Sequence, residues 1–421
     1  MTGNFKPKRI VMAVLGSLGD LHPTLALALA LQQRGHRVTI ASTPYYREKV
    51  EGLGIGFAPL RPDWDPTDRD LIAQCEDLKT GPEVLVRKLV LPHLRPTFDD
   101  LMAAATGADL MIATELVFAA PLVAEKLGLR WVSEILSPTS FFSAYDPSLL
   151  VNVPELYRLR SAGWMVNRAI LQFGKLMSWR WWEPVRQLRR EQGLRVACDP
   201  IFKDKFSPDL VLALFSGCLA QPQADWPKQT LQPGFVIFDR EKAGATDSPE
   251  LAAFLAAGDA PIVFTLGSTA VHNPGKFYEA SAAATRQLGK RAVLLGAKSL
   301  AGMDSADILA LPYAPHSQIF PHAVAIVHQG GSGTTGQALH AGRPQLIVPY
   351  GWDQPDNGAR MARMGAGLCL ARSEYSARTA IDALGRLLGD ARYAARAAEI
   401  GACIQAEGAL AAACDAIEAV R

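Results

Sequence analysis

Two short apolar runs with a helical pattern between them open the chain: RIVMAVLG, PTLALALALQQRG and HRVTIAS. Runs this short and this rich in β-branched residues make strands buried on both faces, and parallel strands need a crossover such as the helical stretch supplies. Further runs of the same kind stand at DLMIATE, LRWVSEI and DLVLALF, separated by apolar-periodic segments such as GPEVLVRKLVLPHLRPTFDDLMAAA. A second series follows: APIVFTLGST, a helix through Tyr278 to Leu288, KRAVLLGA, ADILALPYAP, VAIVHQGG, a short helix and PQLIVPYG. Between the two series the composition changes, at QPQADWPKQTLQPGF and then DREKAGATDSPE. The pattern predicts an α/β protein with two Rossmann-like, doubly wound parallel-sheet domains facing an interdomain cleft. The domains are expected at 1–220 and 259–400, joined by a linker over 221–258, with an Ala-rich C-terminal helix over 401–421 able to pack back on the N-terminal domain. A chain of 421 residues that is 49% hydrophobic can bury two cores.

Composition excludes several function classes. Lys and Arg total 43 against 41 Asp and Glu, so no bulk positive field holds a polyanion, and nucleic acid is not an expected partner. Cys75, Cys198, Cys218, Cys369, Cys403 and Cys414 form no C-x-x-C, which fits reduced thiols and a cytoplasmic location rather than a zinc ribbon or a disulfide framework. FKPKRIVMAVLGSLGD reads as a first strand rather than a signal peptide, and no uncharged apolar run approaches the ~20 residues of a membrane span. Within Gly163–Trp182, GWMVNRAILQFGKLMSWRWW, four tryptophans and several basic residues fit an interfacial membrane helix or a wall of an acceptor site. They fit better the commoner arrangement, a helix packed on its own domain with snorkelling Arg and Lys. Peripheral membrane contact therefore stays open, with no transmembrane segment.

The strand VAIVH runs into a glycine-rich turn that is expected to open a helix at about Thr334. Backbone amides there, with the positive end of the helix dipole, make a site for phosphate oxygens. His328 immediately precedes the turn, and is either a diphosphate contact or a strand-end histidine satisfied by backbone. Gly331, Gly333 and Gly336 also spell G-x-G-x-x-G with Asp353 beyond, a dinucleotide fingerprint. The first βα turn, Gly16 to Asp20, lacks that spacing, and the strand ending at Ser42 carries no acidic residue for a ribose. There is no G-x-S-x-G elbow and no H-E-x-x-H. Asp63-Trp64-Asp65 lies in a Pro-rich loop, and no metal is assigned.

Taken together, the motifs resemble a GT-B glycosyltransferase of family 1, UDP-glycosyltransferase-like, in its bacterial, sterol and glycopeptide branch. The matching residues are Gly16-Ser17-Leu18-Gly19-Asp20 with Pro23, Tyr313-Ala314-Pro315, His328 with Gly330 to Thr334, Ala341 to Pro344, Pro349 and Asp353-Gln354. The resemblance implies an inverting transfer from a nucleoside-diphosphate sugar, of UDP-glucose or dTDP- or UDP-rhamnose type, with no cofactor or metal. The acceptor hydroxyl would belong to a lipophilic or aromatic small molecule: a flavonoid, phenolic, sterol, macrolide or lipid-like natural product. His328, Gly330, Gly331, Ser332, Gly333 and Thr334 would meet the diphosphate, and Asp353 and Gln354 the sugar hydroxyls. Gly19, Gly267 and Ser268 would lie near the nucleotide or phosphate, and Tyr313, where the family usually has Trp, would stack on the base.

The reaction needs a base for the acceptor proton. The branch carries aspartate where this chain has Asp20, whose other reading is a helix N-cap. His22 is the alternative base, and Glu115 would orient the base or be an ordinary exposed carboxylate. An acceptor wall is expected from Phe118, Ser137, Pro138, Phe141, Phe142 and Tyr145, although each aromatic could equally be core. The alternative functions are a catalytically silent glycosyltransferase-like partner protein and an NAD(P)-dependent oxidoreductase.

Overall fold

A computed structural model describes residues 6–238, 248–296 and 302–421. Seven parallel strands build the first sheet: β1 (Arg9–Ala13), β2 (Arg37–Ser42), β3 (Gly56–Pro59), β4 (Leu110–Thr114), β5 (Trp131–Ile135), β6 (Leu210–Ala213) and β7 (Thr230–Leu231), in the order β3-β2-β1-β4-β5-β6-β7. Six build the second: β8 (Ile262–Thr265), β9 (Ala292–Leu295), β10 (Ile308–Leu311), β11 (Ala325–His328), β12 (Gln345–Ile347) and β13 (Gly367–Cys369), ordered β10-β9-β8-β11-β12-β13. Each sheet starts at an inner strand and reverses direction once, between β1 and β4 and between β8 and β11. Ligands of open α/β sheets bind at the carboxyl ends beside such a reversal.

The first helix, Leu18–Gln33, follows β1 directly. Ser17 caps it with Asp20 in a capping box, and the Leu/Ala run that follows is a strong helix former. Leu21, Leu25, Leu27 and Leu31 are all buried, because the helix is covered on two sides. One cover is the sheet, through Ile10, Met12 and Ile40. The other is the last helix, Ala409–Ala419, which puts Ala409, Ala413, Cys414 and Ile417 into the same cluster. Arg34 pairs with Asp415 and Glu418 at 2.5 and 3.0 Å, and Lys8 Nζ donates to the carbonyls of Glu418 and Val420.

Two boundaries differ from the sequence expectation. The N-terminal domain does not end at residue 220: β7 extends its sheet, and Val236 joins the core of the first helix. The C-terminal segment is two helices, Ala391–Gln405 and Ala409–Ala419, of which the former packs Ala397, Ile400 and Ile404 on the second domain. Together these two helices are long and apolar enough to cross a membrane, yet they are interrupted at residues 406–408 and each is seated on a domain core. The stretch 239–247 of the expected linker lies outside the described residues.

Candidate active site at the facing sheet edges

Asp20 stands in the first turn after β1, at the reversal point of the first sheet. Its Oδ2 accepts from Ser17 N at 2.8 Å and from Ser17 Oγ at 3.3 Å, so the residue serves as part of the cap. Oδ1 takes no hydrogen bond among the described residues. Gly16 makes this arrangement available: its φ is +142°, and a Cβ there would lie 2.2 Å from Asp20 Oδ2. Burial raises the Asp20 carboxyl to about 7, opposed by the Ser17 amide and reinforced by the charges of Glu115 and Asp353. A carboxylate that titrates near neutrality can accept a proton and later release it.

Behind Asp20 lies a carboxyl absent from the sequence expectation. Glu134, on β5, is 1% exposed, and its Oε2 accepts from Thr24 Oγ1 at 2.6 Å. Its Oε1 has no hydrogen-bond partner among the described residues. Burial and then the charge of Asp20 push Glu134 up to about 7 as well, so the two carboxyls titrate as a pair. A single charged residue inside the apolar run WVSEI was the signal that could have found it. Glu115, after β4, is no ordinary exposed carboxylate: Lys205 Nζ pairs with its Oε2 at 2.8 Å, and Ser140 Oγ donates to its Oε1 at 2.7 Å. His22 is driven down to about 3 by burial and by the nearby Lys49 and His316, and it meets Phe238 edge-on. Its Nε2 has no hydrogen-bond partner among the described residues. A ring that weakly basic makes a poor alternative to Asp20.

Across from Asp20, the second sheet presents the helix Ser332–His340. It begins two residues earlier than expected, with Gly331 as its N-cap and no side-chain cap, so the amides of Ser332, Gly333 and Thr334 lead it uncovered by a capping side chain. A Cβ at Gly333 would meet nothing within 4 Å. His328 does not face this space. It is fully buried, its Nδ1 accepts from Gly330 N at 3.0 Å, and its Nε2 lies 2.8 Å from Gln345 Oε1. That pattern fixes the Nε2-protonated tautomer. Burial holds the ring down to about 4, against the bond from Gln345, so the histidine shapes the turn as a neutral group rather than pairing with a diphosphate as a cation.

Asp353 closes the site. Ser332 Oγ and Asn357 Nδ2 both donate to its Oδ2, at 2.6 and 2.9 Å, while burial raises its carboxyl above the usual range. It therefore stands beside the uncapped helix, and its charge reaches Asp20 on the other domain. Gln354 is buried with its Oε1 accepting from Tyr350 N and Gly351 N, which leaves only the amide NH2 as a group for a sugar hydroxyl. Immediately before them Trp352 adopts a φ of +62°, a strained conformation for a side chain of this size, and packs against the N-terminal core. Gly267 has a φ of +64°, with Gln329 Nε2 where a Cβ would stand, and Ser268 beside it is half-buried. Thr334 is buried, Gly19 gives its N–H to Ser17 Oγ, and Tyr313 is exposed.

The expected acceptor wall is largely core. Phe141 is stacked between Trp226, at 4.0 Å, and Phe206. Phe118 is buried edge-on against Trp182, Ser137 caps a short turn by accepting from Thr139 N, and Pro138 is buried. Tyr145 is exposed and stacks on Trp164 away from these. Phe142 borders an open groove with Leu150, Leu156, Asn167, Ile170 and Leu171, and Phe118 lines a second, smaller pocket with Glu115, Arg189 and Lys205. The contacts that join the domains were also missing from the expectation. Asp356 accepts from Thr139 Oγ1 and Leu149 N across the cleft at 3.1 and 2.8 Å, and pairs with the buried Arg360, which also reaches Asp146. Glu76 bonds Asn273 and Arg372.

Comparison with known proteins agrees with this architecture. Residues 10–140 match the glycosyltransferase family 28 N-terminal domain, and residues 299–417 match the C-terminal domain of the erythromycin biosynthesis protein CIII-like family. The chain is 31% identical to O-mycaminosyltylonolide 6-deoxyallosyltransferase of Streptomyces fradiae, over 97% of each chain. It is 29% identical to vancomycin aglycone glucosyltransferase of Amycolatopsis orientalis, over 86% of this chain and 85% of that one. Among solved structures, the glycosyltransferase of kitacinnamycin superposes with a TM-score of 0.72 at 22% identity, over 98% of both chains. Spinosyn rhamnosyltransferase SpnG, solved with spinosyn aglycone, gives 0.69 at 22% identity, over 97% of this chain and all of that one. With two parallel α/β domains meeting at their reversal points and a relative this similar over nearly its whole length, the chain belongs to the GT-B glycosyltransferases, alongside bacterial and sterol enzymes of that fold.

Proposed function

We propose that this glycosyltransferase moves a sugar, with inversion, from a nucleoside-diphosphate sugar to a hydroxyl of a lipophilic small molecule of macrolide, sterol or glycopeptide-aglycone type. One observation carries the reading: a carboxyl raised to about 7, Asp20, is electrostatically coupled across the domains to Asp353, which is itself bonded to the first residue of an uncapped helix. In this reading the diphosphate lies on the amides of Ser332, Gly333 and Thr334, where the helix dipole stabilises the negative charge that grows on the leaving group. The acceptor hydroxyl attacks the anomeric carbon from the opposite side while Asp20 takes its proton. The carbon–oxygen bond to the diphosphate breaks, and the nucleoside diphosphate leaves with the electron pair. Asp353 Oδ1 and the Gln354 amide group would hold the sugar hydroxyls. No step requires a metal. The two relatives are named for O-mycaminosyltylonolide and vancomycin aglycone, and a further one, from Aspergillus clavatus, is named a sterol 3-beta-glucosyltransferase, which supports a bulky, largely apolar acceptor. The scattered cysteine spacing, with no C-x-x-C, supports a reducing, cytoplasmic location.

The experiment is a thermal-shift comparison of uridine diphosphate, thymidine diphosphate and NAD, followed by donor screening by mass spectrometry against a macrolide, sterol and phenolic panel. A nucleoside diphosphate should raise Tm and NAD should not. A shift with NAD alone would contradict the reading, and nucleotide binding without transfer to any acceptor would support the silent partner instead.

A further inference from the structure

The helix Trp164–Ser178 turns a large apolar arc outward. Its inner side is mixed and meets the protein: Asn167 is buried and donates to the carbonyls of Ala144 and Arg160, each at 3.1 Å, and Lys175 pairs with Asp199 at 2.5 Å, with Leu171 between them. Its apolar side meets solvent, where Met165 is 69%, Phe173 64%, Leu176 70% and Met177 66% exposed. At the helical period these residues, with Val166, fall in one arc opposite Asn167 and Lys175. A helix on the surface of a soluble domain normally turns that arc inward.

The borders of the arc are equally specific. Exposed tryptophans stand at both ends, Trp164 stacked on Tyr145 and Trp179 held by the Arg186 guanidinium at 4.2 Å. Arg158, Arg160, Arg168 and Arg180 are exposed around it. Over residues 154–182 the chain carries five basic residues and one acidic, although the whole protein is nearly neutral. An apolar arc with aromatic ends and a cationic rim is the arrangement that seats a helix in the plane of a bilayer surface, with tryptophan at the headgroups and arginine on anionic lipid.

We infer that this face docks the protein on an anionic lipid bilayer. A second copy of the chain is the weaker occupant, because its cationic rim would oppose this one. Docking stands independently of the acceptor class proposed above. If that class is correct, the placement is useful to it: the inner side of the same helix, Asn167, Ile170 and Leu171, lines the groove beside Phe142, so an apolar acceptor leaving the bilayer meets the groove one helix away.

The test is sedimentation of the full chain with vesicles of phosphatidylcholine containing phosphatidylglycerol, and with vesicles of phosphatidylcholine alone. The wild type should sediment with the anionic vesicles, less at high salt, and weakly with the neutral ones. Phe173→Glu with Leu176→Glu should lower partitioning at least ~10-fold, and Arg168→Gln with Arg180→Gln roughly 25-fold, about fivefold for each charge lost. These side chains are exposed, so an unchanged Tm confirms that each variant is folded. Failure of the wild type to sediment with anionic vesicles overturns the proposal, as does equal sedimentation of the Glu variant. A concentration-dependent dimer abolished by Phe173→Glu, without vesicle binding, assigns the face to a second copy and also overturns it.

Discussion

Asp20 shows how one residue type can satisfy two readings at once. Base and cap are alternatives in the sequence, but one carboxylate oxygen serves the cap while the other carries no bond among the described residues. The proposal therefore predicts an acid limb in kcat/KM with an apparent pKa near 7: below it Asp20 is protonated and cannot accept the acceptor proton, so the rate falls as pH falls. The charge of Asp20 raises Glu134, and the repulsion between the two is mutual, so Glu134→Gln should move that limb to lower pH. Stability moves with the same groups. Between the ordinary carboxylate value of about 4 and about 7, the folded protein holds protons on Asp20 and Glu134 that the unfolded chain has lost, so stability declines as pH rises through that window. Glu134→Gln should accordingly raise Tm at pH 8 relative to wild type and leave it little changed at pH 5. An unaltered pH–rate profile in that variant, with an unaltered Tm at pH 8, would contradict the coupling. Gly16 gives a second test at this scale. Gly16→Ala places a methyl 2.2 Å from Asp20 Oδ2 and must displace the carboxylate, so turnover should fall at least ~10-fold while nucleotide affinity is retained.

At the scale of elements, the legible strands are the apolar runs β1, β2, β4, β5, β6 and β8 to β12, all of them inner strands except β10, an edge strand whose ILAL run is apolar enough to be read alone. The strands not recognised are β3, β7 and β13, which lie at sheet edges. Their sequences GFAP, TL and GLC are too short, or too rich in glycine and proline, to carry a period, and only pairing with a longer neighbour defines them. The glycine turn was legible as an anion site for a similar reason, because a strand, glycines and a helix start are local features. The role of His328 was not, since its partner Gln345 comes from the next strand. Acting through Gly330 rather than as a cation, His328→Ala should weaken nucleoside-diphosphate binding and slow transfer together by about tenfold, the scale of one buried hydrogen bond. Because the ring titrates at about 4, the pH dependence of nucleotide affinity above pH 5 should match wild type. Titration calorimetry at several pH values separates this positioning role from a phosphate-paired histidinium, whose removal would change that dependence.

For the whole molecule, the domains are held in register by groups that no local pattern reveals. The Asp356–Arg360 spacing is visible as an i, i+4 pair, but its contacts to Thr139, Leu149 and Asp146 are not. Asp356→Ala removes one partner of a buried guanidinium and both bonds across the cleft, so it should destabilise the protein by about 3 kcal/mol, measured by denaturant unfolding. A loss below about 1 kcal/mol would show that the cleft contacts are incidental. The acceptor wall was the least legible part, since burial decides which aromatics face a cavity and Phe118 and Phe141 carry no mark of it in the sequence. The central claim is that Asp20 does chemistry at one sheet edge while the helix Ser332–His340 binds the diphosphate at the other. Its most direct test is Asp20→Asn, with nucleoside-diphosphate affinity and single-turnover sugar transfer measured on the same preparation. The account predicts affinity within about twofold of wild type and transfer slower by ~100-fold or more. Near wild-type transfer in Asp20→Asn, or loss of nucleotide binding along with transfer, would contradict it.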